Sequence, residues 1–197
     1  MEIIINIINN ALFWIFLYFL AFIWFYLMYS NSKSINFLFP SSKSLIILSN
    51  FFISIMIFII PILIAYCSQP RFYISSVISY PISMILFFIA IYIEISARKK
   101  LGFLPGGPFP GLRKKNELVT TGIYSKVRHP IYLGIILWQF GFALIFNALY
   151  ALVFSTVYIF AILIIIKIEE QDILKKYGKE YEKYIKKVPS KLIPKII

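Results

Sequence analysis

Residues Arg128–Glu170 read RHPIYLGIILWQFGFALIFNALYALVFSTVYIFAILIIIKIEE. Two apolar runs, Pro130–Phe146 and Ala151–Ile168, are parted only by Asn147–Tyr150, and each outer end carries a polar pair. A break that short permits only a tight reversal, so the runs predict a helical hairpin. Both ends of a hairpin emerge on one side, which brings Arg128-His129 alongside Glu169-Glu170. Pro130 suits the first helical turn, where its missing N–H has no partner in any case. The first run is short for a full crossing at about 1.5 Å per residue. Tilting, bilayer thinning and re-entry remain open, and the shared end survives all three.

Working outward, the rest of the chain is of the same kind. Hydrophobic residues make up 60% of the 197, against about 45–50% in soluble domains. This predicts an all-α integral membrane protein, a single membrane domain over residues 1–197. About 20 apolar residues span the hydrocarbon as a helix, and three further segments qualify: Ile7–Tyr29, Leu45–Tyr66 with Pro61, and Ile74–Ala97 with Pro81. Five transmembrane helices are therefore expected. Residues 1–97 hold three of them, and residues 98–197 form a site-bearing half of loop, hairpin and tail. The loop after Arg98 includes GFLPGGPFPGLRKKNE, whose glycines and prolines oppose regular helix. The first residues lack a basic n-region before a run long enough to span, so no cleavable signal peptide is expected.

A formal charge of +12 would suit nucleic acid in a soluble protein. In a membrane chain it reports topology, and no nucleic-acid partner is expected. Of the 20 Lys and Arg residues, Arg71 alone falls in the connections on one side. The positive-inside rule then puts the N-terminus outside and the active-site end and C-terminus in the cytosol. In the tail, Ile173, Leu174, Tyr177, Tyr181, Tyr184, Ile185 and Val188 recur at helical spacing among lysines and glutamates. That predicts an amphipathic interfacial helix, bent or interrupted at Gly178, with lysines facing anionic membrane lipids. The single cysteine, Cys67, excludes an intrachain disulfide, and a single histidine argues against a zinc site, so no metal is expected.

Glu94 sits four residues from Arg98 on one helical face, where pairing is the simpler reading and a functional intramembrane carboxylate the sharper one. At the shared end of the hairpin, Arg128 offers a planar donor fork, His129 and Tyr132 further polar groups, and Glu169-Glu170 acceptors for hydroxyls or ammonium. On physical grounds this suits a polar, zwitterionic ligand at the membrane face. A lipid-headgroup cluster and a solvated helix face are the simpler readings of the two pairs.

The block LVTTGIYSKVRHPIYLG (Leu118–Gly134), followed after the hairpin by EEQDILKKYGKEYEKYIKKVPSKLIP, resembles the isoprenylcysteine carboxyl methyltransferase family and the related phospholipid methyltransferases. The likeness covers Leu118–Pro194; the first three segments agree only in character. It implies an S-adenosylmethionine pocket on the cytosolic side, built from Gly122, Tyr124, His129, Pro130, Tyr132, Gly134, Glu169 and Glu170. Arg128 and Glu170 take the catalytic roles, and Tyr177, Gly178, Tyr181 and Tyr184 complete the tail motif. Many members carry proline where Ile123 stands, which affects turn stiffness more than chemistry.

The expected reaction is transfer of a methyl group to the α-carboxylate of a prenylated cysteine or a similar lipid-like carboxylate. Such an acceptor is already ionised, so positioning and exclusion of water suffice. Arg128 would orient it, His129 and Tyr132 would hold the amino-acid end of the cofactor, and the glutamates would take its ribose hydroxyls or ammonium. The lipophilic substrate would enter from the bilayer; the oligomeric state is left open. Phospholipid N-methylation, with Glu170 as base, is the first alternative. A reductase using a nicotinamide cofactor and a non-enzymatic lipid-binding membrane protein are the others.

Overall fold

The computed structural model describes residues 5–7, 9–30, 58–101 and 117–194. Among them the chain is all-helical, with two isolated β-bridges and no strand. Helix α1 is Ala11–Ser30, α2 covers residues 58–66, and α3 is Ser76–Leu101. The hairpin is α4, Pro130–Ile145, and α5, Leu149–Tyr177; α6 is Lys179–Lys187. Two of these, α3 and α5, are long and apolar enough to cross a membrane. The first half of the expected second segment, residues 45–57, and the loop 102–116 lie outside the described residues.

α4 lies between α3 and α5. Its seam with α3 is made of small residues at heptad spacing: Ser83, Ala90 and Ala97 are buried on α3, and Gly134 and Gly141 face it from α4. A Cβ at Gly141 would stand 2.4 Å from Phe87 Cε1, so the absent side chain sets the approach distance. The outward face of α3 stays apolar, with Val77 80% and Tyr92 70% exposed, as hydrocarbon contact permits. On the other side Tyr18 of α1 meets Phe154 and Tyr158 of α5 edge-on, at 4.9 and 5.6 Å. Ile162, Ile166 and Leu192 extend that core toward the far end of α5.

The reversal between α4 and α5 is Phe146–Ala148, with Asn147 at φ +48°. It is braced by the short stretch Gln69–Arg71. Arg71 Nη1 donates to the carbonyls of Ala65 (2.7 Å) and Phe146 (2.9 Å), and Nη2 to those of Tyr66 (2.9 Å) and Cys67 (3.0 Å). One guanidinium thus caps the C-termini of α2 and α4, where helices leave carbonyls unsatisfied. Gln69 Oε1 accepts the amides of Tyr150 (2.8 Å) and Ala151 (3.2 Å) at the start of α5.

α5 runs nine residues beyond the expected end at Ile168. Glu169 and Glu170 consequently sit on its helical face rather than in a tail, and Ile173, Leu174 and Tyr177 belong to its last turns. The helix breaks at Gly178, whose φ of +49° and ψ of −123° favour glycine. α6 then folds back on the protein. Its apolar face, Tyr181, Tyr184 and Val188, packs on Leu118, Ile173 and Tyr177.

Candidate functional site

The site forms where three pieces of chain converge: the approach to α4, the outer turns of α5, and the irregular segment after α6. Before α4 the chain makes a 3-10 turn, Gly122–Ser125, opened by Gly122 at φ +67°. Gly122 lies against Lys100 of α3, and Tyr124 is buried. The Tyr184 hydroxyl donates to the Tyr124 carbonyl at 2.6 Å, tying α6 to this turn.

The helix ends at Lys187, before Pro189, and the chain then runs without regular structure, bending at Lys191, beside the entrance to α4. The amides of Arg128 and His129 donate to the carbonyls of Ser190 (3.0 Å) and Lys191 (2.8 Å). Arg128 Nη1 reaches the carbonyls of Val188 and Pro189, both at 2.7 Å. Its Nε donates to Glu170 Oε1 at 2.7 Å. With only 4% of the side chain exposed, this is a buried cation, and burial is tolerable because the charge is paired and Nε and Nη1 are hydrogen-bonded.

Glu170 Oε1 also lies 3.1 Å from His129 Nε2. An ionised carboxylate only accepts, so Nε2 carries the proton in that bond. Nδ1 of the same ring stands 3.7 Å from Glu169 Oε2, and the Tyr132 hydroxyl donates to that oxygen at 3.1 Å. The His129 and Tyr132 rings stack with centroids 5.8 Å apart. The hairpin thus brings Arg128, His129, Tyr132, Glu169 and Glu170 into one network.

Two phenols close it from below. Burial first, then the Glu170 charge, holds the Tyr181 hydroxyl well above its ordinary pKa, with Arg128 acting the other way. Burial likewise pushes Tyr184 up to about 12, Arg128 lowering it and Glu170 raising it. Both are neutral throughout the physiological range; Tyr184 donates to the Tyr124 carbonyl, whereas the buried Tyr181 hydroxyl has no hydrogen-bond partner among the described residues.

The other candidates fall elsewhere. Pro130 is the buried first residue of α4. Gly134 faces α3, where a Cβ would meet Glu94 Cγ at 3.1 Å and the Ala90 carbonyl at 3.4 Å, so its smallness serves helix packing. Glu94 pairs with Arg98 at 2.7 Å. Lys191 was missed from the sequence: its ammonium stands 3.9 Å from Glu170 Oε2 with the side chain 36% exposed. The one available signal was its place just after the helix-stopping Val188-Pro189.

This set suits S-adenosylmethionine. Oε1 of Glu170 is taken by Arg128 and His129, but Oε2 accepts no hydrogen bond from the described residues. That oxygen and the partly exposed Glu169 carboxylate are acceptors for ribose hydroxyls or an ammonium.

Residues 78–180 match the family model described as phospholipid methyltransferase. Over 78 residues the chain is 41% identical to a Protein-S-isoprenylcysteine O-methyltransferase of Schizosaccharomyces pombe, covering 39% of this chain and 33% of that protein. It is 37% identical over 77 residues to a Methanethiol S-methyltransferase of Crocosphaera subtropica, 38% of this chain and 28% of the relative. Identity to a Delta(14)-sterol reductase of Mus musculus is 32% over 80 residues, 40% and 19% of the two chains. The matched stretch therefore spans a third or less of each relative. The family match, in contrast, takes in more than half of this chain and holds all five networked side chains, and the chain belongs to the phospholipid methyltransferase family.

Proposed function

We propose that this chain is a membrane methyltransferase that draws its methyl group from S-adenosylmethionine and delivers it to a lipophilic acceptor, the α-carboxylate of a prenylated cysteine or a similar lipid-like carboxylate. One observation carries the reading: Arg128, His129 and Tyr132 interlock with Glu169 and Glu170 across 37 to 42 residues of sequence, inside the stretch that defines the family. The likeness to the isoprenylcysteine O-methyltransferase supports the acceptor class. Cation placement along the chain supports a cytosolic site.

When bound, S-adenosylmethionine supplies a methyl group activated by its sulfonium. The chain's own task is positioning. Arg128 and His129 fix Glu170 through Oε1, and Oε2, 3.9 Å from the Lys191 ammonium, remains as an acceptor. Tyr132 does the same for Glu169. Nε and Nη1 of Arg128 hold Glu170 and the C-terminal segment, and Nη2, the other arm of the fork, is the part available to orient the acceptor. A carboxylate acceptor needs no proton removed, so neither glutamate has to serve as a base.

An amine headgroup is the second reading, favoured by the family description and by two carboxylates at the site. Purified protein supplied with methyl-labelled S-adenosylmethionine and, separately, a prenylcysteine, phosphatidylethanolamine or a small thiol separates these. The expected product is a base-labile ester on the prenylcysteine. Label on the phospholipid amine selects the second reading, and failure to bind S-adenosylhomocysteine in detergent removes both.

A further inference from the structure

An α-amino acid group presents an ammonium and a carboxylate one carbon apart, and its complement is a pair of opposite charges a few ångströms apart. The site contains such a pair, made by a network carboxylate and a cation, Lys191, that stands outside the network. Glu170 Oε2 and Lys191 Nζ are separated by 3.9 Å, beyond hydrogen-bond reach. Arg128 is held by Glu170 and the Val188 and Pro189 carbonyls, and Arg98 by Glu94. Lys191 is different. Its backbone is pinned by the His129 amide at 2.8 Å and flanked by buried Ser190 and Leu192, while its ammonium stays partly solvated. A fixed root and a half-free tip let the ion pair open at little cost, since a partly exposed pair is worth about 1 kcal/mol or less.

We propose that Lys191 is the carboxylate-binding residue for the amino-acid end of the methyl donor, with Glu170 Oε2 receiving the adjacent ammonium. The ligand enters between the two charges and replaces one 3.9 Å contact with two charge-assisted hydrogen bonds. The assignment rests on the S-adenosylmethionine reading above and adds a residue supplied by the chain after α6. It also gives the irregular segment after α6 a purpose beyond closure: docking Val188–Leu192 on α4 delivers the anion-binding group.

Equilibrium binding in detergent to two ligands tests this. S-adenosylhomocysteine carries the amino-acid end; 5′-methylthioadenosine keeps the adenosine and sulfur but lacks it. Lys191→Gln is expected to weaken S-adenosylhomocysteine binding roughly tenfold, as loss of one charge-assisted bond implies, and to leave 5′-methylthioadenosine unchanged. Lys191→Arg should retain most of the affinity, and thermal melting checks that each variant is folded. Equal weakening of both ligands would make Lys191 a structural residue. An unchanged S-adenosylhomocysteine affinity, with or without a raised KM for the acceptor, would also overturn the assignment. If the unsubstituted protein binds neither ligand, the methyl-donor reading itself fails, a result distinct from either of these.

Discussion

Arg128 is charged, buried and bonded to three acceptors on two different parts of the chain. Lysine in its place keeps the charge but not the planar fork, and a single ammonium cannot reach Glu170 and the two carbonyls in the same geometry. Arg128→Lys is expected to cost about 2–3 kcal/mol of stability, within the range for a lost hydrogen bond to a charged group. It should also raise hydrogen exchange across 188–192. Were turnover lost while exchange there stayed at the unsubstituted level, Arg128 would be orienting the acceptor without holding the segment. The sequence made Arg128-His129 and Glu169-Glu170 legible as partners because hairpin geometry depends only on the length of two runs and a reversal. It could not show that Arg128 binds the Val188 and Pro189 carbonyls, because carbonyl oxygens occur at every position and leave no trace in residue identity. Lys191 was hidden for a related reason: in a tail rich in lysine, only the hydrogen bond from the His129 amide to its carbonyl distinguishes it.

Element boundaries were legible to the extent that apolar content and helix coincide. For α4 they do, and its end differs from expectation by one residue. For α5 they do not: apolar content falls away after Ile168, whereas backbone hydrogen bonding continues to Tyr177. The tail shows a second limit. Its periodicity runs on through Gly178, whereas the structure divides the apolar positions between the end of α5 and α6, and periodicity does not say what each set packs against. Here Leu118 together with Ile173 and Tyr177 of α5 covers the apolar side of α6. Gly134 shows a third, because a glycine in a motif reads as close ligand approach until the facing helix is known. With Gly141 it forms a seam, and Gly141 has the tighter contact. Phe87 has little room to retreat, since Trp138 and Phe142 lie 5.1 and 4.8 Å from its ring. Gly141→Val is therefore expected to lower stability by about 1–3 kcal/mol, the usual cost of overpacking. A melting curve in detergent measures it, and Phe87→Ala should recover part of the loss by vacating the space. An unshifted melting temperature would mean that α3 and α4 do not approach this closely.

The whole molecule is held at two opposite ends by two arginines with different duties. Arg128 gathers the site end; Arg71 gathers the other, where it bonds the carbonyls of Ala65, Tyr66, Cys67 and Phe146 beside Gln69. Counting cations made Arg71 the exception to the charge bias, and the structure gives it a reason to be there: four helix-terminal carbonyls need donors at the edge of an apolar bundle. From Leu149 to Glu170 along α5 is about 30 Å at the helical rise, so the two ends share no side-chain contact and their effects should add independently. Arg71→Ala should lower stability by about 2 kcal/mol, a net figure for several partly exposed hydrogen bonds, and leave S-adenosylhomocysteine affinity unchanged. Arg71→Lys restores one or two of the four bonds and should fall between. Combining Arg71→Ala with Arg128→Lys should give the sum of the two losses in melting experiments. A combined loss well below that sum, or a drop in ligand affinity from Arg71→Ala alone, would show that the two ends are coupled through α4 and α5.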